Sequence, residues 1–273
     1  MSNTVDKREA SSNLEVELSR FLKVEPTEQT PFDIFQNSWS TKFDNIYNGG
    51  VFPGTKDDRL FWLFDQIDVE NMSVLEFGPL EAGHTFMLER AGAKVVAIEA
   101  NVGAFLRCLV VKNHLGLKTK FLHGDFEVLE DNEKRYDVII ASGVLYHSKN
   151  PSSLICKMSE LADKIFIWTH YFEPDLDLWN PGLKNKLESK KWDLENISEE
   201  EVNGVKVRTV TQHYGETLGW SGFCGGTDTY SSWIYKEDLI TLLRSLGYTS
   251  IKISFDDLKH PHGPAFCLLC ERD

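Results

Sequence analysis

The side chains with the most chemistry to offer fall at regular intervals in the first half of the chain. Glu76 stands two residues before Gly78 in Val74-Leu-Glu-Phe-Gly78, Glu99 closes Val95-Val-Ala-Ile-Glu99, and Asp125 follows a glycine in Gly124-Asp-Phe126. A glycine in a turn lets backbone approach a ligand closely, and a helix starting soon afterwards aims its N-terminal amides at the same place. A carboxylate about 20 residues further on, at the end of the next strand, accepts both hydroxyls of a ribose in doubly wound nucleoside sites. An aspartate after the third strand is suited to accept from an adenine amino group, with Phe126 against the ring. Each feature alone is a weak signal. Three on consecutive strand ends describe a nucleoside site.

Histidines form a second set. His147 sits in Leu145-Tyr-His147, His170 in Ile167-Trp-Thr-His-Tyr171, and His260 and His262 in a His-Pro-His loop. Histidine titrates near neutrality and is the natural general base for deprotonating an acceptor. His147 and His170 are the candidate bases. Tyr146, Tyr171, Trp220, Phe223, His260 and His262 are candidate acceptor contacts. Several imidazoles near one rim also suit a metal, but no carboxylate–histidine spacing supports one, and none is expected. Cys267-Leu-Leu-Cys270 has ligand spacing inside a strand-like run, where i and i+3 point to opposite faces, so ordinary packing is expected there.

These groups need a frame to hold them together. Short apolar runs at 73–77, 94–98, 119–122, 136–141 and 165–169 alternate with helical stretches at 83–91, 101–115 and 151–161. Repeated βα units with apolar strands predict a doubly wound, mostly parallel sheet covered on both faces. A helix over 236–246 and strands over 250–255 and 265–271 follow. The link between those strands is too short for a crossover helix, so the last strand is expected to run antiparallel. Such a sheet brings Gly78, Glu99, Asp125, His147 and His170 to its carboxyl edge.

The remaining segments are read as additions to this domain, which spans 71–273. Residues 1–70 are expected to form a polar tail and a helical extension with an amphipathic helix over 57–67. Residues 171–235 exceed a normal connection several-fold and are rich in aromatics, as a substrate lid is. Gly219-Trp-Ser-Gly-Phe223 is its candidate flap, and Glu199-Glu-Glu201 reads as a solvated helix start or turn.

The net charge of −13 disfavours a broad nucleic-acid surface, and an apolar content of 41% excludes global disorder. The N-terminus has no apolar signal core and no run suits a membrane span, so a cytoplasmic location without membrane contact is expected. Five scattered cysteines do not make a disulfide framework. A nicotinamide or flavin enzyme is the main rival reading. Its G-x-G-x-x-G turn needs a second glycine where this chain has Leu80, and Glu76 opposes a diphosphate. A nucleoside without phosphates and with positive charge fits better.

Residues 72–170 resemble the core of a class I S-adenosylmethionine-dependent methyltransferase, with a Rossmann-like seven-stranded sheet and an antiparallel final strand. Val74–Gly78 resembles the first motif, Ala97-Ile-Glu99 the ribose acid, Gly124–Phe126 the adenine turn and Tyr136–Ser142 the fourth-strand motif. The resemblance implies S-adenosyl-L-methionine as cofactor, contacted by Glu76, Gly78 and Pro79, by Glu99 and Ala100, by Asp125 and Phe126, and by backbone at Ala141 or Ser142. Pro79-Leu80 departs from the family's glycine-rich turn. Ser142–Pro151 and Ser232-Trp233 resemble a subgroup that includes the tRNA wobble-uridine carboxymethyltransferase. The expected activity is O- or N-methylation of a small-molecule acceptor. The alternatives are (carboxy)methylation of tRNA, for which Lys184, Lys186, Lys190 and Lys191 are the basic candidates, and a cofactor-binding module without catalysis.

Overall fold

The structure, a computed structural model, describes residues 21–129, 135–183, 192–219 and 225–272. Strands β1 (Ser73–Phe77), β2 (Lys94–Glu99), β3 (Lys120–His123), β4 (Val138–Ser142) and β5 (Lys164–His170) run parallel in the order β3-β2-β1-β4-β5. Two further strands, β9 (Ser250–Asp257) and β10 (Ala265–Glu271), complete a seven-stranded sheet of order β9-β10-β5-β4-β1-β2-β3. Strand β10 is antiparallel to both neighbours, as the short 258–264 link requires. The strands β1, β4 and β10 are buried almost throughout, which is why they read as continuous apolar runs. Cys267 and Cys270 on β10 fall into different core clusters, on opposite faces of the sheet.

Helices α1 (Asp58–Gln66), α2 (Gly83–Arg90), α3 (Val102–Leu115), α4 (Pro151–Leu161) and α5 (Lys236–Ser245) cover the sheet. Their starts are written locally. The Asp57 carboxylate accepts from Arg59 N at 2.9 Å, Asn101 from Ala104 N at 2.9 Å and Asn150 from Ser153 N at 3.1 Å, each satisfying an amide that a helix leaves without partner. Helix α3 ends on Gly116 in the left-handed conformation.

Of the expected N-terminal helical extension, only α1 and a single turn at Thr30–Asp33 are helical among the described residues. Between them the chain forms turns and two paired two-residue strands, Thr41–Lys42 and Phe52–Pro53. Phe32, Trp39, Phe43 and Ile46 pack against Cys108, Val111, Leu117 and Phe121, so this segment is anchored on α3 and β3.

The 171–235 segment contains a second sheet that the sequence pattern does not predict. Strands β6 (Ser198–Val202), β7 (Val205–His213) and β8 (Tyr230–Ile234) form an antiparallel sheet with β7 in the middle. Glu199–Glu201 therefore belongs to an edge strand and not to a helix start or turn. Lys206 pairs with Glu199, and the Ser152 hydroxyl donates to Glu200. The signal was present: Val202-Asn-Gly-Val205 is a two-residue hairpin, with Asn203 at φ 49 and Gly204 at φ 75, as a type I′ turn demands. Val207 and Ile234 join the main core, so this sheet is an integral layer over α4 and α5.

Candidate active site

The turn after β1 carries the first group of functional residues. Gly78 has φ +62, and a Cβ there would lie 2.6 Å from Val144 Cγ1, so both conformation and space require glycine. Leu80 (φ 54) and Ala82 (φ 59) also adopt left-handed backbone, each costing about 1–2 kcal/mol in a non-glycine residue. Two carboxylates hold the turn. Leu80 N donates to Glu99 Oε2 at 3.1 Å, and Asn101 N donates to Glu99 Oε1 at 2.8 Å. Glu81, which sequence reasoning passed over, is 1% exposed. It accepts from Ser40 N at 3.0 Å and Thr41 N at 2.6 Å and pairs with Arg107 at 3.1 Å. The N-terminal segment is thereby strapped onto the turn. The close approach of Gly54 O to Gly83, 2.8 Å from where a Cβ would stand, continues the same contact.

Glu76 is 2% exposed and receives a short hydrogen bond from the Thr85 hydroxyl of α2. Burial raises its pKa to about 7, with the nearby Glu99 adding to the shift and the Thr85 bond opposing it. Burial also raises Glu99, against the hydrogen bonds from Asn101 and Leu80. Two buried carboxylates beside a glycine turn are stabilised by a cation and destabilised by a phosphate. Each ionised carboxylate offers about four acceptor positions, so Glu99 keeps lone pairs for hydroxyls besides its two backbone partners.

Asp125 accepts from Glu127 N at 2.8 Å and from the Thr227 hydroxyl at 3.3 Å, so a residue from the 171–235 segment reaches the third strand end. Phe126 stacks on Phe77 with centroids 4.7 Å apart. The carbonyl of Ala100 faces His123 Nε2 at 3.3 Å, and that of Pro79 accepts from Glu81 N and Ala82 N, which closes the turn. At the end of β4 the Ser142 hydroxyl is buried without a hydrogen-bond partner among the described residues. An orphaned buried hydroxyl beside a cradle of Gly78 and two carboxylates fits a ligand with positive charge and polar groups.

A wall of aromatic and imidazole rings adjoins this end of β4. Strand register sets Ser142 beside Trp168, and Gly143 N donates to Trp168 O at 2.8 Å. Trp168 and His170, two apart on β5, share a face, with rings 5.3 Å apart. Alternation along the strand would have found Trp168 from the sequence. Tyr146 lies edge-on to His170 at 4.6 Å and against His147 at 4.1 Å, and His260 lies 4.9 Å from His170. Trp233 of β8 stacks on His170 at 5.1 Å and 10°. Arg59 stacks over Trp168 at 4.5 Å while its fork is bound to Asp57, whose carboxyl is held well below the usual range by Arg59 and His84 against the effect of burial.

The two candidate bases are set up differently. His170 is 4% exposed, and its Nδ1 lies 2.9 Å from the Gly263 carbonyl and 3.3 Å from that of Pro264. A carbonyl only accepts, so the proton is on Nδ1 and Nε2 carries the lone pair. Burial, with His260 nearby, lowers its pKa to about 4. His147 Nδ1 meets the Tyr214 hydroxyl at 3.0 Å, and burial with His170 nearby lowers its pKa to about 3. Both rings are neutral at physiological pH.

The other expected contacts divide. Tyr146 and His260 are in the wall, and His262 lies against His260, to which its backbone N–H donates at 3.2 Å. Tyr171 is not in it. One residue beyond His170, its side chain points to the other face, donates to Asp256 at 2.6 Å and packs on Phe266. Trp220 and Phe223, like Lys184, Lys186, Lys190 and Lys191, lie outside the described residues. Among the described residues no group of three histidine, cysteine or acidic side chains is arranged to hold a metal. No helix among them is long and apolar enough to cross a membrane.

Residues 75–163 match the family model for a methyltransferase domain. The N-terminal domain of EvdMO1, crystallised with SAH, shares the fold with a TM-score of 0.64 at 17% identity, with 100% of each chain covered. The same domain crystallised with SAH and D-fucose gives 0.63 at the same identity and coverage. Magnesium protoporphyrin IX methyltransferase (ChlM) from Synechocystis PCC 6803, with bound SAH, gives 0.52 at 15% identity, over 80% of this chain and 81% of its own. Among curated proteins none matches significantly. The matched domain and the sheet order define a class I methyltransferase architecture. Residues 75–163 therefore carry the match to a methyltransferase domain, in a fold shared with structures crystallised with SAH.

Proposed function

We propose that the protein methylates a small-molecule acceptor, with His170 as general base. The observation carrying this reading is the fixed tautomer of His170: two carbonyls hold the proton on Nδ1 and leave Nε2 with the lone pair, on the strand whose Trp168 stands beside Ser142. Bound S-adenosylmethionine supplies an electrophilic methyl group on a cationic sulfonium. Glu76 and Glu99 supply negative potential to that cation, Glu99 also accepting from the ribose, Asp125 from the adenine amino group, and Gly78, Pro79, Ala100 and Ser142 line the same crevice. Tyr146, Trp168 and Trp233 bound the acceptor side and exclude water, and His170 Nε2 receives the acceptor's proton.

The D-fucose in one EvdMO1 crystal form makes a sugar-like acceptor worth testing first. The assay is incubation with methyl-labelled cofactor and a cell extract, followed by mass spectrometry of the labelled product. Label in a low-molecular-mass compound, lost with His170→Gln, supports the reading. Label in the RNA fraction supports the tRNA alternative instead.

A further inference from the structure

The limb that leads into β8, Gly225-Gly-Thr-Asp-Thr229, is fastened to two turns of the main domain. On the β4 side Asp228 pairs with Lys149 at 2.8 Å, and a Cβ on Gly226 would stand 2.2 Å from the His147 carbonyl oxygen. Gly226 N also donates to the Tyr214 hydroxyl at 3.3 Å, and that hydroxyl meets His147 Nδ1 at 3.0 Å. On the β3 side the Thr227 hydroxyl donates to Asp125 Oδ2 at 3.3 Å. In the sheet order β1 and β2 stand between β3 and β4. Residues 226–228 therefore bridge the two outer turns of the edge that carries Gly78 and Glu99.

This bridge is held weakly, and what stands at its base is held firmly. The Lys149 and Asp228 side chains are 49% and 38% exposed, and Thr227 and Thr229 are exposed. None of residues 225–229 belongs to a hydrophobic core cluster among the described residues. An exposed ion pair and two hydrogen bonds of 3.3 Å hold little free energy. From Ser231 onwards, by contrast, β8 is buried. Ser232 N donates to Ser148 O at 2.9 Å, and Tyr214 N donates to Thr229 O at 3.1 Å. Segments with few apolar contacts open locally while the elements beside them stay folded. The limb has that character, with a rigid base in β8.

Asp125 is also the group to which the reading above gives the adenine amino group, and this inference rests on that reading. A carboxylate oxygen has two acceptor positions, so Oδ2 can take an amino proton while it keeps the Thr227 hydroxyl. We infer that residues 225–229 form a gate at the nucleoside end of the crevice, closing beside the bound base with Thr227 on Asp125 and latched by the Lys149–Asp228 pair. Gly226 is what lets the gate shut, because a side chain there would push the limb off the His147 carbonyl. The latch is made whether the crevice is empty or filled. It therefore governs how fast a nucleoside ligand enters and leaves, and not how tightly it is held. In turnover the demethylated product leaves through the same gate, which places the latch on the release step.

The test uses the full chain and S-adenosylhomocysteine, with rates read by surface plasmon resonance. In Asp228→Asn the ion pair is gone, so association and dissociation should both quicken about two- to fivefold, with the calorimetric dissociation constant within about twofold. The ligand carries no net charge, so ionic strength acts on the latch and not on the encounter. Raising salt from about 50 mM to about 500 mM should quicken the wild type towards the variant and leave the variant unchanged. In the wild type the ligand should slow hydrogen exchange of the 226–229 amides at least about threefold. Equal rates in variant and wild type, a quicker dissociation alone, or exchange indifferent to the ligand would overturn the inference. Failure of the wild type to bind S-adenosylhomocysteine by calorimetry would instead defeat the cofactor reading on which the gate depends.

Discussion

Glu76 gives the sharpest quantitative test of the cofactor crevice. Its carboxyl titrates at about 7 in the folded chain against 4.5 for the unperturbed group, because it is buried and lies near Glu99. Between these values the unfolded chain has released the proton and the folded chain retains it. Stability is therefore lost as pH rises from 4.5 through 7. The shift corresponds to about 3 kcal/mol at pH 8, or about 6 °C of melting temperature for a chain of this size. The substitution Glu76→Gln leaves a side chain that cannot ionise and still accepts from the Thr85 hydroxyl. The ligand-free Glu76→Gln protein should match the wild type at pH 5 and melt about 6 °C higher at pH 8. Groups remote from Glu76 titrate alike in both proteins, so the difference between the curves reports Glu76 together with its coupling to Glu99.

Ligand binding should reverse the order. A cation in the crevice favours the ionised carboxylate, so wild-type affinity for S-adenosylmethionine should rise between pH 6 and 8 and binding should release a proton. The Glu76→Gln variant should bind several-fold more weakly at pH 8 and show a smaller pH dependence, that of Glu99 alone. Calorimetry in buffers of different ionisation enthalpy reads both quantities. Parallel melting curves across pH 5–8, or equal affinities at pH 8, would refute the placement of Glu76 at a cation site.

Three other perturbations test separate parts of the site. Glu99→Ala removes the partner of Leu80 N and Asn101 N and, in this reading, of the ribose; calorimetric affinity for S-adenosylhomocysteine should fall by roughly 1.5–3 kcal/mol. Glu81→Gln replaces the charge that binds Ser40 N, Thr41 N and Arg107; limited proteolysis should cut residues 40–54 faster while the 73–171 core persists. His170 titrates at about 4, so the acid limb of kcat/KM should lie well below pH 6 in the range where the protein stays folded, and a limb near 6.5 would exclude it as the base. Its lowered value also means that the unfolded chain takes up the proton first, so stability falls as pH drops from 6.5 towards 4.

The parts of the molecule legible in the sequence are those where a short-range pattern and a long-range demand coincide. Strands β1 and β4 are apolar at nearly every position because both faces are covered, and Asp57, Asn101 and Asn150 announce the helices they cap. The placement of Gly78, Glu99 and Asp125 at one edge is readable because a parallel sheet delivers every strand end there. The β6–β8 sheet was missed although Asn203-Gly204 signalled its hairpin, because polar glutamates on an exposed edge strand carry no apolar alternation to weigh against a charge run. The wall of aromatic and imidazole rings shows a deeper limit. His170 and Trp233 are far apart in sequence, and what makes them a pair is Gly263, which holds the imidazole with its carbonyl and leaves room for the indole. Glu81 likewise acts through residues about 40 positions away. A residue's identity names its chemistry, whereas its tautomer and the charge it keeps are properties of the backbone packed behind it. At the parallel strand ends the topology supplies that backbone in a repeating form, so spacing suffices. In the wall of rings it is supplied by an insertion and a terminal hairpin, and only the folded chain specifies which atoms remain unpaired.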